Sequence, residues 1–193
     1  MKPIITIEKE DKLNKFAFRY HLYPLMVVFI LFFIVVNIVT QLSQHSVYAA
    51  DSYTLPYPGI LPNHRLYPLK SVRDRLLEWF TRDLNKKAEL YLLYADKRIW
   101  MAQMLGDQNE WQLAEDTASK AEKYLLKSRD AVTQSRAIGG SPNVAFLAKI
   151  KKAPYKHYEI LRNLMKNSPS GNWLGFKEAV KINQEYAAWA KTQ

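Results

Sequence analysis

The chain contains no cysteine. That absence excludes disulfide staples, thiol catalysis, iron–sulfur ligation and thiolate–zinc sites, so any folded part must be stable through packing alone. The usual catalytic settings are missing as well: no Gly-x-Ser-x-Gly, no His-Glu-x-x-His, no Walker loop and no dinucleotide fingerprint. No stretch sustains the period-two alternation of a half-buried strand, which makes the expected fold class all-α. Finally, no Lys or Arg occurs between Arg19 and Arg65.

That gap in positive charge frames the longest apolar run, Leu25 to Val36. Taken from Leu22 to Val39, the apolar region is interrupted only by Tyr23, Pro24 and Asn37. As a helix it spans about 27 Å at ~1.5 Å per residue, just enough to cross a bilayer core. Lys2, Lys9, Lys12, Lys15 and Arg19 precede it. The positive-inside rule therefore reads residues 1–21 as a basic cytoplasmic tail, residues 22–42 as a transmembrane anchor or uncleaved signal, and everything after them as outside. The uninterrupted core also has the length of a signal-peptide hydrophobic region. Val47-Tyr48-Ala49 offers small residues at the cleavage spacing, and cutting after Ala49 or Ala50 would release a secreted chain. A cytoplasmic lead of about twenty residues and a leader of about fifty exceed the ~15–30 of signal peptides, which favours a single-pass anchor in the cell membrane.

The formal charge is +10. Setting aside the five bases and three acids before the apolar run leaves 23 bases against 15 acids, or +8, on the remainder. An exported basic domain is attracted to anionic lipid headgroups and acidic wall polymers, with nucleic acid the least favoured polyanion, although such a charge also simply keeps a surface soluble.

Residues 43–67 read as a polar connector and a proline-rich strap. Pro56, Pro58, Pro62 and Pro68 forbid a regular helix interior, and Pro58-Gly59 suits a type II turn. Leu55, Tyr57, Ile60, Leu61, Leu66 and Tyr67 are too many apolar groups for a mere linker, so the strap is expected to dock in a groove on the helices that follow. The stretch Tyr53-Thr-Leu-Pro-Tyr-Pro-Gly-Ile-Leu-Pro62, followed by Leu66-Tyr67-Pro68-Leu69-Lys70 and Arg73-Asp74-Arg75, resembles the opening of an exported bacterial family, domain of unknown function 5667. The resemblance extends from Tyr53 to about Gln134. It implies an exported, mainly helical domain behind a leader or anchor, and it brings no catalytic residues.

Residues 68–193 are expected to form an extracytoplasmic antiparallel bundle of about five helices. In the first, Leu69, Val72, Leu76, Leu77 and Phe80 would face the core, with Arg73, Asp74 and Arg75 largely opposite. After a break at Thr81–Asp83 the second runs to Leu105, with one stripe of Leu84, Ala88, Tyr91, Ala95, Ile99 and Ala102 and another of Leu90, Leu93, Lys97, Met101 and Met104. Gly106-Asp107 would end it. The third, from Glu110 to about Ile138, carries Ala114, Ala118 and Ala121, small enough for close approach of the second. Gly139-Gly140-Ser141-Pro142 stops it. The fourth, Asn143 to Asn167, carries Leu147, Ile150, Tyr158, Leu161 and Met165, with Pro154 placed to kink or divide it. Trp173, Phe176, Val180, Asn183, Ala187 and Ala190 mark the last.

Candidate chemistry is thin. Glu115 and Asp116 are neighbours on a helix, pointing about 100° apart, so they read as a solvated face rather than an acid–base pair. His21, His45, His64 and His157 are isolated and read as surface histidines, with no metal or other cofactor implied. Lys149, Lys151, Lys152 and Lys156, interleaved with Tyr155, have the composition to grip a polyanion, or equally to keep a kinked helix soluble. Trp100, between the stripes of its helix, is a candidate contact for protein or glycan. The leading expectation is a non-enzymatic envelope protein that binds another protein or an anionic wall polymer. One alternative is a cell-wall hydrolase without a recognisable motif, which predicts a deep cleft with two facing carboxylates. Another is a periplasmic helical chaperone or stress sensor, which predicts a dimer with a concave basic surface.

Overall fold

The computed structural model describes residues 29–32, 53–169 and 174–193. The chain divides into two units, Met1–Ser52 and Tyr53–Gln193. In the first, residues 29–32 are helical and exposed, and the rest of the basic tail, the apolar segment and the cleavage sequence lie outside the described residues. Among the described residues no helix is long and apolar enough to cross a membrane.

The second unit is all-helical among its described residues. Residues 53–66 are not helical, as the prolines require. Gly59 has φ +74°, the left-handed value a type II turn demands after Pro58. Helix α1 (Tyr67–Phe80) begins with proline in its first turn and ends at Thr81. Asp83 then caps α2 (Leu84–Asp107), its side chain accepting the Lys86 N–H at 2.8 Å. Helix α2 runs through Gly106-Asp107, where the sequence predicted its end. It stops at Gln108 and Asn109, and Asn109 takes the left-handed conformation at φ 62° that this turn needs. Neither Asp107 nor Asn109 caps α3 (Trp111–Ala137), whose cap residue Glu110 makes no side-chain capping bond.

Asn143 caps α4 (Val144–Asn167) by accepting the Phe146 N–H at 2.7 Å. This helix continues through Pro154 without dividing. The proline is buried, and surrounding helices hold the turn that its missing N–H weakens. The last helix, α5 (Leu174–Lys191), is capped from another element: Glu115 of α3 accepts the Gly175 N–H, and Ser119 donates to the Gly175 carbonyl at 3.2 Å. A carboxylate there also meets the positive end of the helix dipole. A Cβ at Gly175 would lie 2.5 Å from the Glu115 carboxylate, so this close approach requires glycine.

The contacts fix helix directions. Ser135 donates to Asn85, and Ser128 donates to the Ala88 carbonyl, while Gly106 lies against Trp111 at the other end, so α2 and α3 are antiparallel. Along α3 and α5 the pairs advance together, from Glu115–Gly175 through Glu122–Asn183 to Arg129–Glu185, so these two are parallel. So are α2 and α4, through Glu89–Asn143, Asp96–His157 and Gly106–Leu164. Helix α2 packs on α3 and α4, and α5 on the same two. The result is a ring of four helices with α1 on its outside, while residues 53–66 insert Tyr53 and Leu55 into its interior.

Ala114, Ala118 and Ala121 are completely buried, which is what brings the axes of α2 and α3 close. Their methyl groups leave no room for larger side chains in an interior packed like an organic crystal. Ala118→Leu should therefore lower stability by about 1–3 kcal/mol in urea denaturation. An unchanged midpoint would contradict this close packing.

Candidate functional site: a buried charged layer and an outward apolar helix

The core of the four-helix ring is cut across by charge. One apolar cluster contains Ile99 and Leu105 of α2, Ala114 to Ala121 of α3, Leu161 and Leu164 of α4, and Phe176 and Ala179 of α5. The other contains Ala88, Leu92 and Ala95, Leu125 and Val132, Phe146, Ile150 and Ala153, and Tyr186 and Ala190 from the same four helices. Between them each helix contributes one polar residue: Asp96, Glu122, His157 and Asn183, all buried. His157 Nε2 lies 3.0 Å from Asp96 Oδ1, and its Nδ1 lies 2.8 Å from Glu122 Oε1. Asn183 donates to Glu122 Oε2 at 3.0 Å, and Tyr53 from the preceding segment donates to Asp96 Oδ2 at 2.6 Å. Every carboxylate oxygen in the layer is engaged.

This corrects the reading of His157 as a surface residue: its exposure, like that of Glu122, is 0 %. Burial alone would lower the imidazole pKa, but the Glu122 carboxylate first, and Asp96 with it, outweigh that cost and raise it from 6.5 to about 9. Protonated, the ring donates from both nitrogens and places one positive charge between two negative ones. Tyr53 is held as the neutral donor, its phenol pKa pushed up by burial and then by Asp96. The two facing carboxylates that a hydrolase would need are here bridged to a cation and closed off from solvent. They join α2, α3, α4, α5 and the strap residue Tyr53 at one point.

The second feature is α1, which is inside out. Stepping by about 100° per residue, Tyr67, Lys70, Ser71, Asp74 and Glu78 share one side, and that side meets the body. The only buried residue in the helix is Asp74, 6 % exposed. Leu69, Val72, Leu76, Leu77 and Phe80, predicted to be its core face, are all exposed, as is Trp79, with Leu69 at 69 % and Trp79 at 74 %. The reason lies in the partners offered by α2 and α3, which are tyrosines and a lysine. Tyr94 donates to the Asp74 carbonyl at 3.0 Å, and Tyr91 and Lys127 both donate to Glu78 at 2.9 Å. These groups pull the Glu78 carboxyl below its ordinary value against the effect of burial. Arg98 and Lys127 lie over the Tyr124 ring, at 4.2 and 4.7 Å from its centroid. Polar contacts, rather than apolar burial, mount α1 on the body.

Lys70 ties the same helix to the segment before it, donating to the carbonyls of Pro58 at 2.6 Å and Ile60 at 3.0 Å. Burial, followed by the neighbouring cations Lys97, Arg98 and Arg73 against the attraction of Asp74, lowers its pKa to about 8. Beside it opens a groove of about 510 Å³ with Tyr57, Ile60, Leu66 and Leu69 as apolar walls and Lys70, Arg73 and Lys97 as a cationic side. Of the strap residues singled out from sequence, Leu55 is buried in the core with Ile99 and Leu105. Leu61 and Tyr67 are half-buried, Ile60 is just exposed, and Tyr57 and Leu66 stand exposed. Tyr57 meets Trp100 edge-on at 6.4 Å.

Lys149, Lys151, Lys152 and Lys156 lie with Tyr155 on the outer side of α4, opposite the buried Ile150, Ala153, Pro154 and His157. Lys156 pairs with Glu159 at 2.9 Å. Tyr158, predicted in the core, is exposed, and His157 takes its place. Glu115, predicted on a solvated face, is buried as the cap of α5. His64 is exposed and accepts the Leu66 N–H at its Nδ1. Among the described residues no group of three His, Asp or Glu side chains has the geometry to hold a metal.

The charged layer gives stability a definite pH dependence. Because the folded pKa of His157 lies above the unfolded one, its contribution is complete below about pH 6.5 and is lost as pH rises through about 9, on a scale of roughly 3 kcal/mol. Urea midpoints should fall across that window. His157→Leu, which leaves two buried carboxylates facing each other without a cation, should cost about 3–5 kcal/mol at neutral pH and flatten the dependence. Equal wild-type midpoints at pH 6.5 and 8, below the range in which Lys70 with its lowered pKa acts in the opposite direction, would contradict a charged His157.

No curated protein and no solved structure matches the chain. A family model described as a domain of unknown function, DUF5667, matches residues 59–171, more than half of it. The match begins at Gly59, not at Tyr53 as the opening motif predicts, and extends beyond the expected Gln134 limit, taking in α1 to α4 and leaving Tyr53 and α5, with Asn183, outside. On this match the chain belongs to the DUF5667 family.

Proposed function

We propose that this protein is a non-enzymatic binding module of the bacterial cell envelope, held at the membrane by its N-terminal apolar segment, with residues 53–193 outside. In this reading the four-helix body is a rigid mount and α1 is the recognition element. The observation that carries it is the orientation of α1: seven large apolar side chains from Leu66 to Phe80 are exposed while its acids turn inward. Soluble monomers rarely leave so many neighbouring apolar groups uncovered unless something else covers them. The basic excess beyond the apolar run and the gap in positive charge between Arg19 and Arg65 support the orientation. The outer side of α4, with Lys149, Lys151, Lys152, Tyr155 and Lys156, is a second place where an acidic wall polymer would be held by charge.

The absence of native cysteine makes the test direct. Single cysteines are placed at Val72 on the α1 face and at Gln134, an exposed position on α3. A membrane-impermeant maleimide should label Gln134→Cys in intact cells. It should label Val72→Cys as fast as Gln134→Cys in the purified protein, but several-fold more slowly in cells. Labelling of Gln134→Cys only after lysis, or equal Val72→Cys rates in cells and in the purified protein, would overturn the reading.

A further inference from the structure

We propose that the partner of the α1 face is the surface of an anionic bilayer, into which α1 settles as an interfacial helix; this rests on α1 being the binding element. Its outward surface combines Leu69, Val72, Leu76 and Leu77 with Trp79 and Phe80, whose ring centroids lie 5.0 Å apart, tilted by 51°, at its C-terminal end. An apolar face carrying Trp and Phe, with Arg or Lys around it, is the composition of helices that lie in the plane of the headgroups. Tryptophan also concentrates at that level of a membrane.

Charge narrows the choice of partner. From Arg65 to Arg82 the bases are Arg65, Lys70, Arg73, Arg75 and Arg82, and the only acids are Asp74 and Glu78. Both acids are engaged, Asp74 with Arg73 at 2.7 Å and Glu78 with Lys127 and Tyr91. Within the helix the face is therefore apolar and cationic, with no exposed acidic side chain, and Asp83 just beyond it is turned to its own helix as the cap of α2; such a face complements a surface that is apolar and anionic. A second copy does not meet that condition: two such faces in contact would set arginine against arginine, a juxtaposition that disfavours association. Arg73 neutralises Asp74, which leaves the exposed Arg65, Arg75 and Arg82 as the groups whose stems can lie beside acyl chains while their guanidinium groups reach phosphate.

The length of the chain agrees with this. Thirteen residues separate Val39 from Tyr53, a segment at most about 45 Å long when fully extended. A bilayer that holds the apolar run keeps α1 at high effective concentration near its headgroups, so even a weak interfacial helix docks.

The test uses the full chain reconstituted into vesicles of phosphatidylcholine alone or mixed with phosphatidylglycerol. An environment-sensitive fluorophore is attached at Val72→Cys or at Gln134→Cys, and quenching by spin-labelled lipid is measured. The Val72 probe should be quenched in phosphatidylglycerol vesicles at low salt, and the Gln134 probe should not. Quenching should fall in 1 M salt, where the screening length shrinks to about 3 Å. Replacing Arg65, Arg75 and Arg82 together by Gln should lower the ratio of docked to free α1 by roughly tenfold or more. These arginines are exposed, and an unchanged circular dichroism spectrum verifies that the body is folded. A Val72 probe that stays unquenched at low salt, or is quenched equally with and without phosphatidylglycerol, overturns the proposal. So does shielding that depends on protein concentration in lipid-free detergent, which would mark a second copy. If Val72→Cys is shielded in cells yet unquenched in vesicles, the partner is another protein: the bilayer proposal falls and the binding reading stands. If it is open in both, both fall.

Discussion

One imidazolium between two carboxylates holds this fold together. Asp96, Glu122, His157 and Asn183 come from four different helices and meet in a single layer with apolar clusters above and below. Ions buried this way add little net stability compared with apolar residues of the same shape, because desolvation consumes most of the attraction. What the layer does impose is register. Sliding α2, α3 or α4 by one turn would press a carboxylate or the histidine into alanine and leucine, leaving a buried charge without its partner, and sliding α5 would take the Asn183 amide from Glu122. With no disulfide to fix the arrangement, this penalty selects one alignment among the many that alanine-rich helices permit.

The same layer reaches the outside of the molecule by a continuous chain of contacts. Tyr53 donates to Asp96, and two residues later Leu55 is buried against Ile99 and Leu105. The turn at Pro58 and Gly59 then offers two carbonyls to Lys70 of α1. Helix α1 has only fourteen residues, a length that is marginal in water without tertiary support. Its support is the Lys70 tie together with the tyrosines and lysine that engage Asp74 and Glu78. Mounting a helix through its polar side leaves its apolar side for another surface. An ordinary amphipathic arrangement would have buried that side instead.

Much of the fold was legible from spacing. The helices, the breaks at Thr81–Asp83 and Gly139–Pro142, and the alanine stripe of α3 follow from period 3.6 and from residues that punctuate helices. Two errors share one cause, since periodicity marks a stripe and does not say what the stripe faces. In α1 the apolar stripe reads as the core side, although Tyr67, Lys70, Asp74 and Glu78 form an equally regular stripe opposite, and Tyr91, Tyr94 and Tyr124 receive it. In α4, choosing Tyr158 instead of His157 moved the stripe by one residue. Ile150, His157, Leu161 and Leu164 keep the heptad spacing, and that was the available signal. Asn183 already stood in the predicted stripe of α5. The pairing of these polar residues across helices 35 to 61 positions apart in sequence is a tertiary fact that no local pattern carries.

The charge state of His157 can be observed directly. In a protein labelled with nitrogen-15, the two ring nitrogens report protonation through their chemical shifts. At pH 7.5 both should show the imidazolium pattern, each bearing a proton donated to a carboxylate, with titration only near pH 9. A neutral ring at that pH, with one bare nitrogen, would contradict the account of how the four helices are held in register.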